Sequence, residues 1–227
     1  MNGWIIKNSF NKSLGAKFPP SYPNEMLVKL CSSRRYSELT KSLFLKKNIK
    51  VCEIGCLSGN NIRFFLDKKW ITHGVEINKE LLDLAKKNLK RFKQKVNSLK
   101  IGNNEDLPYN KNYFDLFVSI NTIHYSSGSQ IDKAIEEYAR VLKKNGVAII
   151  ETPSPKHDAI KNSIKKKDNL WIWKWGGFRN NKMIGFFDNK KKLQKKLEIF
   201  FSEVEINERS EDYKGIKLYW YVAVCKK

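Results

Sequence analysis

Chemistry is expected first from Glu53, Gly55 and Gly59. They lie in Lys50-Val51-Cys52-Glu53-Ile54-Gly55-Cys56-Leu57-Ser58-Gly59-Asn60, where an apolar run ends in an acid and two glycines follow four positions apart. An amphipathic stretch then begins. This order sets a bare main-chain turn at the carboxyl end of a strand, facing the open amino end of a helix. Unsatisfied N–H groups and close backbone approach are both available there, so the pattern predicts a site for a nucleotide-like ligand. Glu76 ends a second apolar stretch roughly 20 residues further on, where a strand-end acid belongs in such a site. A polar loop, Glu105-Asp106-Leu107-Pro108, and a fourth strand end, Ser119-Ile120-Asn121-Thr122-Ile123-His124-Tyr125, complete the candidates. With three His, four Cys and no Cys-x-x-Cys pair, no metal site is expected.

Alternating strands and helices must position these residues. Apolar runs predict strands at Ile49–Ile54, Ile71–Ile77, Val96–Ile101, Phe114–Ile120 and Val147–Ile150. The Phe114–Ile120 run is apolar almost throughout, as for a strand covered on both faces. Ile62, Phe65 and Leu66 mark a helix after Gly59 that Asn60 or Asn61 caps; Leu82, Ala85, Leu89 and Phe92 mark one capped by Asn78. Ile131, Ala134, Ile135, Tyr138, Ala139 and Leu142 give the strongest helical stripe, closed by Asn145-Gly146. Asn24 caps a short helix and a second is expected over Tyr36–Phe44. Strand and helix in turn imply a parallel sheet with right-handed crossovers. Residues 1–23 read as an irregular aromatic arm. Residues 153–187 break the alternation with Trp171-Ile172-Trp173-Lys174-Trp175-Gly176-Gly177-Phe178, a half-buried strand or lid edge. Asp188 begins a Lys-rich helix, and Phe200–Ile206 and Leu218–Cys225 finish as an antiparallel pair. With 227 residues the chain is one domain: arm and helices over 1–48, core over 49–152, inserted lid or substrate segment over 153–187, and the last helix and strands over 188–227.

Taken in order, Glu53-Ile54-Gly55-Cys56-Leu57-Ser58-Gly59, Val75-Glu76, Glu105-Asp106-Leu107-Pro108, Phe114-Asp115-Leu116-Phe117-Val118-Ser119 and Arg140-Val141-Leu142-Lys143-Lys144-Asn145-Gly146 resemble class I S-adenosylmethionine-dependent methyltransferases of the small-molecule, type 11-like group. The resemblance implies an α/β, Rossmann-like, seven-stranded and mostly parallel sheet with helices on both faces and a C-terminal antiparallel pair. It implies S-adenosyl-L-methionine as cofactor, held by Glu53, Gly55, Cys56, Gly59, Glu76, Ile77, Glu105, Asp106, Leu107 and Asn121. Gly55 and Gly59 would let the backbone pass close to the methionyl part. Glu76 would take both ribose hydroxyls, Asp106 the adenine amino group, with Glu105 and Leu107 lining the ring. Glu53 would order the loop or meet the ammonium group through water. His124 would stand beside the methyl group as candidate general base, since an unperturbed imidazole titrates near neutrality; Tyr125 is a weaker candidate. Leu57 stands where the family usually has a third glycine, which is acceptable if that residue keeps φ negative. The G-x-G-x-x-G spacing of a dinucleotide dehydrogenase is absent.

The expected reaction is methyl transfer to an O or N nucleophile of a small polar metabolite or sugar-like intermediate. Phe18–Tyr22 and Trp171–Phe178, with Lys174 and Arg179, would select that molecule. The net charge of +21 admits an RNA-directed enzyme or an RNA-binding methyltransferase-like protein. The charge is mostly Lys, a poorer planar reader than Arg, and the Lys, Asn and Ile bias fits a whole-proteome composition. Base-amino and cytosine C5 methyltransferases are disfavoured: no Asn/Asp-Pro-Pro-aromatic sequence follows the fourth strand and no Pro-Cys pair exists. A third alternative is a catalytically silent fold in which Leu57 has spoiled the loop. No apolar run of about 18 residues predicts a membrane span. Cys31, Cys52, Cys56 and Cys225 read as reduced thiols of a cytoplasmic protein.

Overall fold

A computed structural model describes residues 22–126, 128–167, 169–175 and 180–227. Most of the aromatic arm, including residues 18–21, and residues 176–179 of the tryptophan-rich insertion lie outside these. Strands β1 (Lys50–Ile54), β2 (Ile71–Glu76), β3 (Ser98–Ile101), β4 (Phe114–Ile120) and β5 (Leu142–Pro153) pair in parallel. Two more, β9 (Glu203–Tyr213) and β10 (Ile216–Lys226), add an antiparallel pair, giving the order β3-β2-β1-β4-β5-β10-β9. The order reverses between β1 and β4, and the carboxyl ends at that reversal are where open α/β sheets leave a crevice.

Helices cover both faces. Leu27 and Leu30 of α1 (Glu25–Ser32), Leu43 of α2 (Lys41–Leu45) and Phe65 of α3 (Asn60–Asp67) pack on Val51, Leu116, Val118, Val147 and Ile149. On the opposite face, α5 (Ser129–Val141) and α7 (Lys190–Leu197) pack Ile131, Ile135, Tyr138, Leu193 and Leu197 on Cys52, Ile54, Phe117, Ala148 and Ile150. The helix α4 (Lys79–Arg91) seats Ala85 and Leu89 against Ile62. Alternation along each strand divides the two sets, because successive side chains point to opposite faces.

Asn24, Asn78 and Asn189 cap α1, α4 and α7 by accepting from the N–H groups of Leu27, Leu81 and Lys192. Four local expectations are corrected. The helix expected at 36–44 is a 3-10 turn, Arg34–Tyr36, followed by α2. Ser37 Oγ accepts from Leu39 N and Thr40 Oγ1 donates to Ser37 O, and such bonds compete with helical ones. The start of α3 is capped by neither Asn60 nor Asn61; Gly59, at φ +74°, is the cap residue and both asparagines are helical. Asn145-Gly146 does not close α5. That helix ends at Val141, Leu142 already pairs with Phe114, and Asn145, at φ +61°, lies in a bulge whose N–H donates to Lys227 O. Asp188 likewise does not begin α7, which starts at Lys190.

Between β5 and α7 the chain forms α6 (Asp158–Lys161) and an antiparallel sheet of β6 (Ile164–Lys165), β7 (Leu170–Ile172) and β8 (Met183–Gly185). Strands this short carry no readable period. Ala159, Ile160, Trp173, Ile184 and Phe186 are the small core beneath it.

Candidate active site

The glycine loop is held from three sides. Gly55 and Cys56 donate their N–H groups to Val75 O at 2.9 and 3.3 Å, welding the loop to the end of β2. Gly55 sits at φ +71°, and a Cβ there would lie 2.3 Å from Thr122 Oγ1. Absence of a side chain at Gly55 is therefore required by Thr122, which in turn reaches Ile54 O and Ile120 O at 3.2 and 3.0 Å. From α4, Asn88 Nδ2 donates to Ser58 O at 2.7 Å. Leu57 is left-handed, at φ +42°, so the condition under which leucine would be acceptable there, a negative φ, is not met. A Cβ in that region costs roughly 1–2 kcal/mol, and the Leu57 N–H offsets some of it by donating to Glu76 Oε1 at 2.7 Å.

Both oxygens of Glu76 are positioned by main chain, since Oε2 accepts from Ile77 N at 3.0 Å. Burial pushes the Glu76 carboxyl above its ordinary range, and those two amides act against it. Ile77 itself is exposed and flanks the acid. Glu53 is 2% exposed. Its Oε1 accepts from Asn61 Nδ2 at 2.6 Å, while Oε2 is buried with no hydrogen-bond partner among the described residues. Burial, with a smaller push from Glu76, moves its pKa up to about 8 despite the Asn61 bond. A buried acid with an unanswered oxygen beside the glycine turn would be drawn to ionise by a cationic donor placed there.

The 102–109 loop is stapled to the end of β4. Asn104 Nδ2 reaches Thr122 O and Ser126 Oγ, its Oδ1 accepts from Tyr138 OH at 2.6 Å, and Ser126 Oγ donates to Glu105. Asp106 is exposed, on a tight bridge with Asn103. The Leu107 side chain is buried in the core beneath α5, and its N–H donates to Glu137 Oε2. Glu53, Gly55, Cys56, Gly59 and Glu76 are thus brought together around one turn, and Thr122 links that turn to the Asn104–Glu105 loop. Cys56 is buried, facing Ile62 and Leu89. His124 lies on a 3-10 turn, Ile123–Tyr125, is buried, stacks on Phe186 and meets the Tyr125 ring at a tilt.

A second polar cluster escaped the sequence reading. Glu151, at the end of β5, is 0% exposed. Its carboxylate accepts from Asn24 Nδ2 at 3.2 Å, Asn121 Nδ2 at 3.0 Å, and Arg209 Nε and Nη2 at 2.8 and 3.2 Å. The Arg209 guanidinium lies over Trp220, 3.7 Å from the ring centroid. Asn121, itself at φ +51°, therefore spends its amide on Glu151. Asn24 N also donates to Asn61 Oδ1 at 2.8 Å. The result is one polar chain running Glu53–Asn61–Asn24–Glu151–Arg209, with both acids and Asn61 buried and Asn24 and Arg209 half-buried. Its sequence signal was an acid ending an apolar strand, which demands a partner inside.

Comparison with known proteins agrees with this geometry. Residues 52–150 match the family described as "Methyltransferase domain". Over 109 residues the chain is 36% identical to 2-methyl-6-phytyl-1,4-hydroquinone methyltransferase 1, chloroplastic, of Oryza sativa subsp. japonica. That match covers 46% of this chain, and the chain spans about a third, 31%, of the relative's length. Among solved structures, a SAM-dependent methyltransferase from Methanosarcina mazei superposes with a TM-score of 0.67 at 20% identity, covering 82% of this chain and 96% of that one. An S-adenosylmethionine-dependent methyltransferase from Clostridium acetobutylicum gives 0.57 at 16% identity, over 84% and 90%. These likenesses show the Rossmann-like methyltransferase fold.

Proposed function

We propose, from a chain whose residues 52–150 match the methyltransferase-domain family, that the protein is an S-adenosylmethionine-dependent enzyme that transfers a methyl group to a small molecule at an O or N nucleophile. The Glu76 carboxylate carries the reading. Two backbone amides fix it, each oxygen keeps a further lone pair, and a ribose diol needs two acceptors side by side. The partnerless Glu53 Oε2 suits an ammonium group, directly or through water. When bound, S-adenosylmethionine supplies a methyl group already activated on a sulfonium, so the protein's remaining tasks are alignment, exclusion of water and removal of a proton. His124, walled by Tyr125 and Phe186 under the insertion, is the group assigned to that proton. The rice relative's hydroquinone supports a small-molecule acceptor, and the four buried free cysteines support a reducing, cytoplasmic setting.

Calorimetry with S-adenosylmethionine tests the cofactor site. Glu76→Gln, which removes one acceptor, should weaken binding by roughly 1–3 kcal/mol, or about 5- to 150-fold; unchanged affinity refutes the assignment. Transfer of a labelled methyl group, scored on metabolite extract and on total RNA, tests the acceptor class, and label in RNA alone overturns the small-molecule reading.

A further inference from the structure

The insertion presents an outer face that neither the cofactor loop nor the polar chain uses. Register places Ile164 opposite Ile172 and Ile172 opposite Met183, so these three side chains form one row across β6, β7 and β8. The neighbouring row, Lys165, Trp171 and Ile184, points the other way; Ile184 is buried and Trp171 packs against the same small core. The first row faces solvent, with Ile164 and Met183 47% and 46% exposed. Exposed lysines flank it along the chain, Lys166, Lys167, Lys174 and Lys182. Lys161 and Lys165 are engaged instead in ion pairs with Asp158 and Asp188.

We infer that this face docks on an anionic lipid surface. Aliphatic side chains that leave water for the headgroup boundary, ringed by amines that meet phosphate, are the chemistry of reversible interfacial attachment. A net charge of +21 attracts the whole chain to such a surface. Nucleic acid fits the row less well, because single strands are held by stacking on aromatic faces and the three residues here are aliphatic. The opposite side of the small sheet sits on the candidate site: Phe186 stacks on His124, and a Cβ on Gly185 would lie 2.2 Å from Ser126 O. Docking therefore holds the segment that closes over His124 against the membrane. It does not rest on the transfer reaction, and its test reads no methyl transfer.

Flotation of the full chain with phosphatidylcholine vesicles, with and without phosphatidylglycerol, provides that test. The chain should float with the anionic vesicles only and detach at high salt. Ile164→Ser with Met183→Ser should weaken flotation about tenfold, the scale of a few buried methylenes. Lys166→Glu with Lys167→Glu and Lys182→Glu should weaken it further, since each lysine near an anionic surface is worth roughly fivefold. All these positions are exposed, so thermal unfolding and the heat of S-adenosylmethionine binding should stay as in the parent chain. No flotation with anionic vesicles, or flotation indifferent to the aliphatic pair, overturns the proposal. Single-stranded RNA binding weakened by the same aliphatic pair, with vesicle binding unchanged, assigns the face to nucleic acid instead.

Discussion

Replacing Arg209 by Met probes the polar chain directly. Glu151 is fully buried, and Arg209, with a side chain 19% exposed, supplies its only positive partner among the described residues. Methionine preserves the stem against Trp220 but removes two charge-assisted bonds and leaves a carboxylate facing Asn24 and Asn121 alone. Breaking a buried pair from one side costs about 3–5 kcal/mol, because the survivor's desolvation is no longer answered. For a chain of this length each kcal/mol moves Tm by about 2–4 °C, so Arg209→Met should lower it by roughly 6–20 °C. Adding Glu151→Gln to that variant should restore more than half of the loss, since a neutral amide oxygen still accepts from both asparagines. Arg209→Lys should fall between, a point charge being unable to fork onto two oxygens. Urea and thermal unfolding at neutral pH measure all four proteins. A loss below about 1 kcal/mol for Arg209→Met, or no rescue in the double variant, would show that Glu151 is solvated and the argument wrong.

The remaining predictions concern the loop. The Glu53 carboxyl keeps its proton in the fold up to about pH 8 but releases it near 4.5 in the unfolded chain, so its contribution is complete below 4.5 and lost as pH climbs through 8. His73, lowered to about 4 mainly by burial, acts in the opposite sense, but only up to 6.5. Unfolding free energy should therefore fall by about 2 kcal/mol between pH 6.5 and 8, and Glu53→Gln should remove at least half of that slope. Leu57→Gly relieves a left-handed leucine by about 1 kcal/mol and adds a similar unfolded-state entropy. Its Tm should hardly move while S-adenosylmethionine binds severalfold tighter; weaker binding in calorimetry refutes the view that Leu57 narrows the loop. Asp106→Ala should weaken the cofactor by roughly 1–3 kcal/mol, and a titration identical to the parent's would release Asp106 from any adenine contact.

Much of this was readable in order and spacing. Asn24 and Asn78 are found at helix starts because a capping side chain leaves a local signature, and Phe114–Ile120 is a strand in full because burial on both faces leaves only one pattern. Asn145-Gly146 misled because a left-handed asparagine serves a bulge as well as a helix end; the pairing of Leu142 with Phe114 decided between them. The small sheet was missed as a sheet because two or three residues per strand are too few to show alternation. Thr122 over Gly55, and Arg209 on Glu151, join residues 67 and 58 positions apart, and nothing local in the chain announces such a meeting.

Asn24 has one consequence for anyone dividing this protein into pieces. Its main-chain N–H steadies Asn61, which holds Glu53, and its side chain answers Glu151. A fragment beginning at Asn24 or earlier keeps both acids company. One beginning at Met26 takes a direct partner from Glu151 and, from Asn61, the donor that steadies the residue holding Glu53. A single asparagine 26 residues ahead of the first strand thus bounds the shortest piece that keeps this network whole.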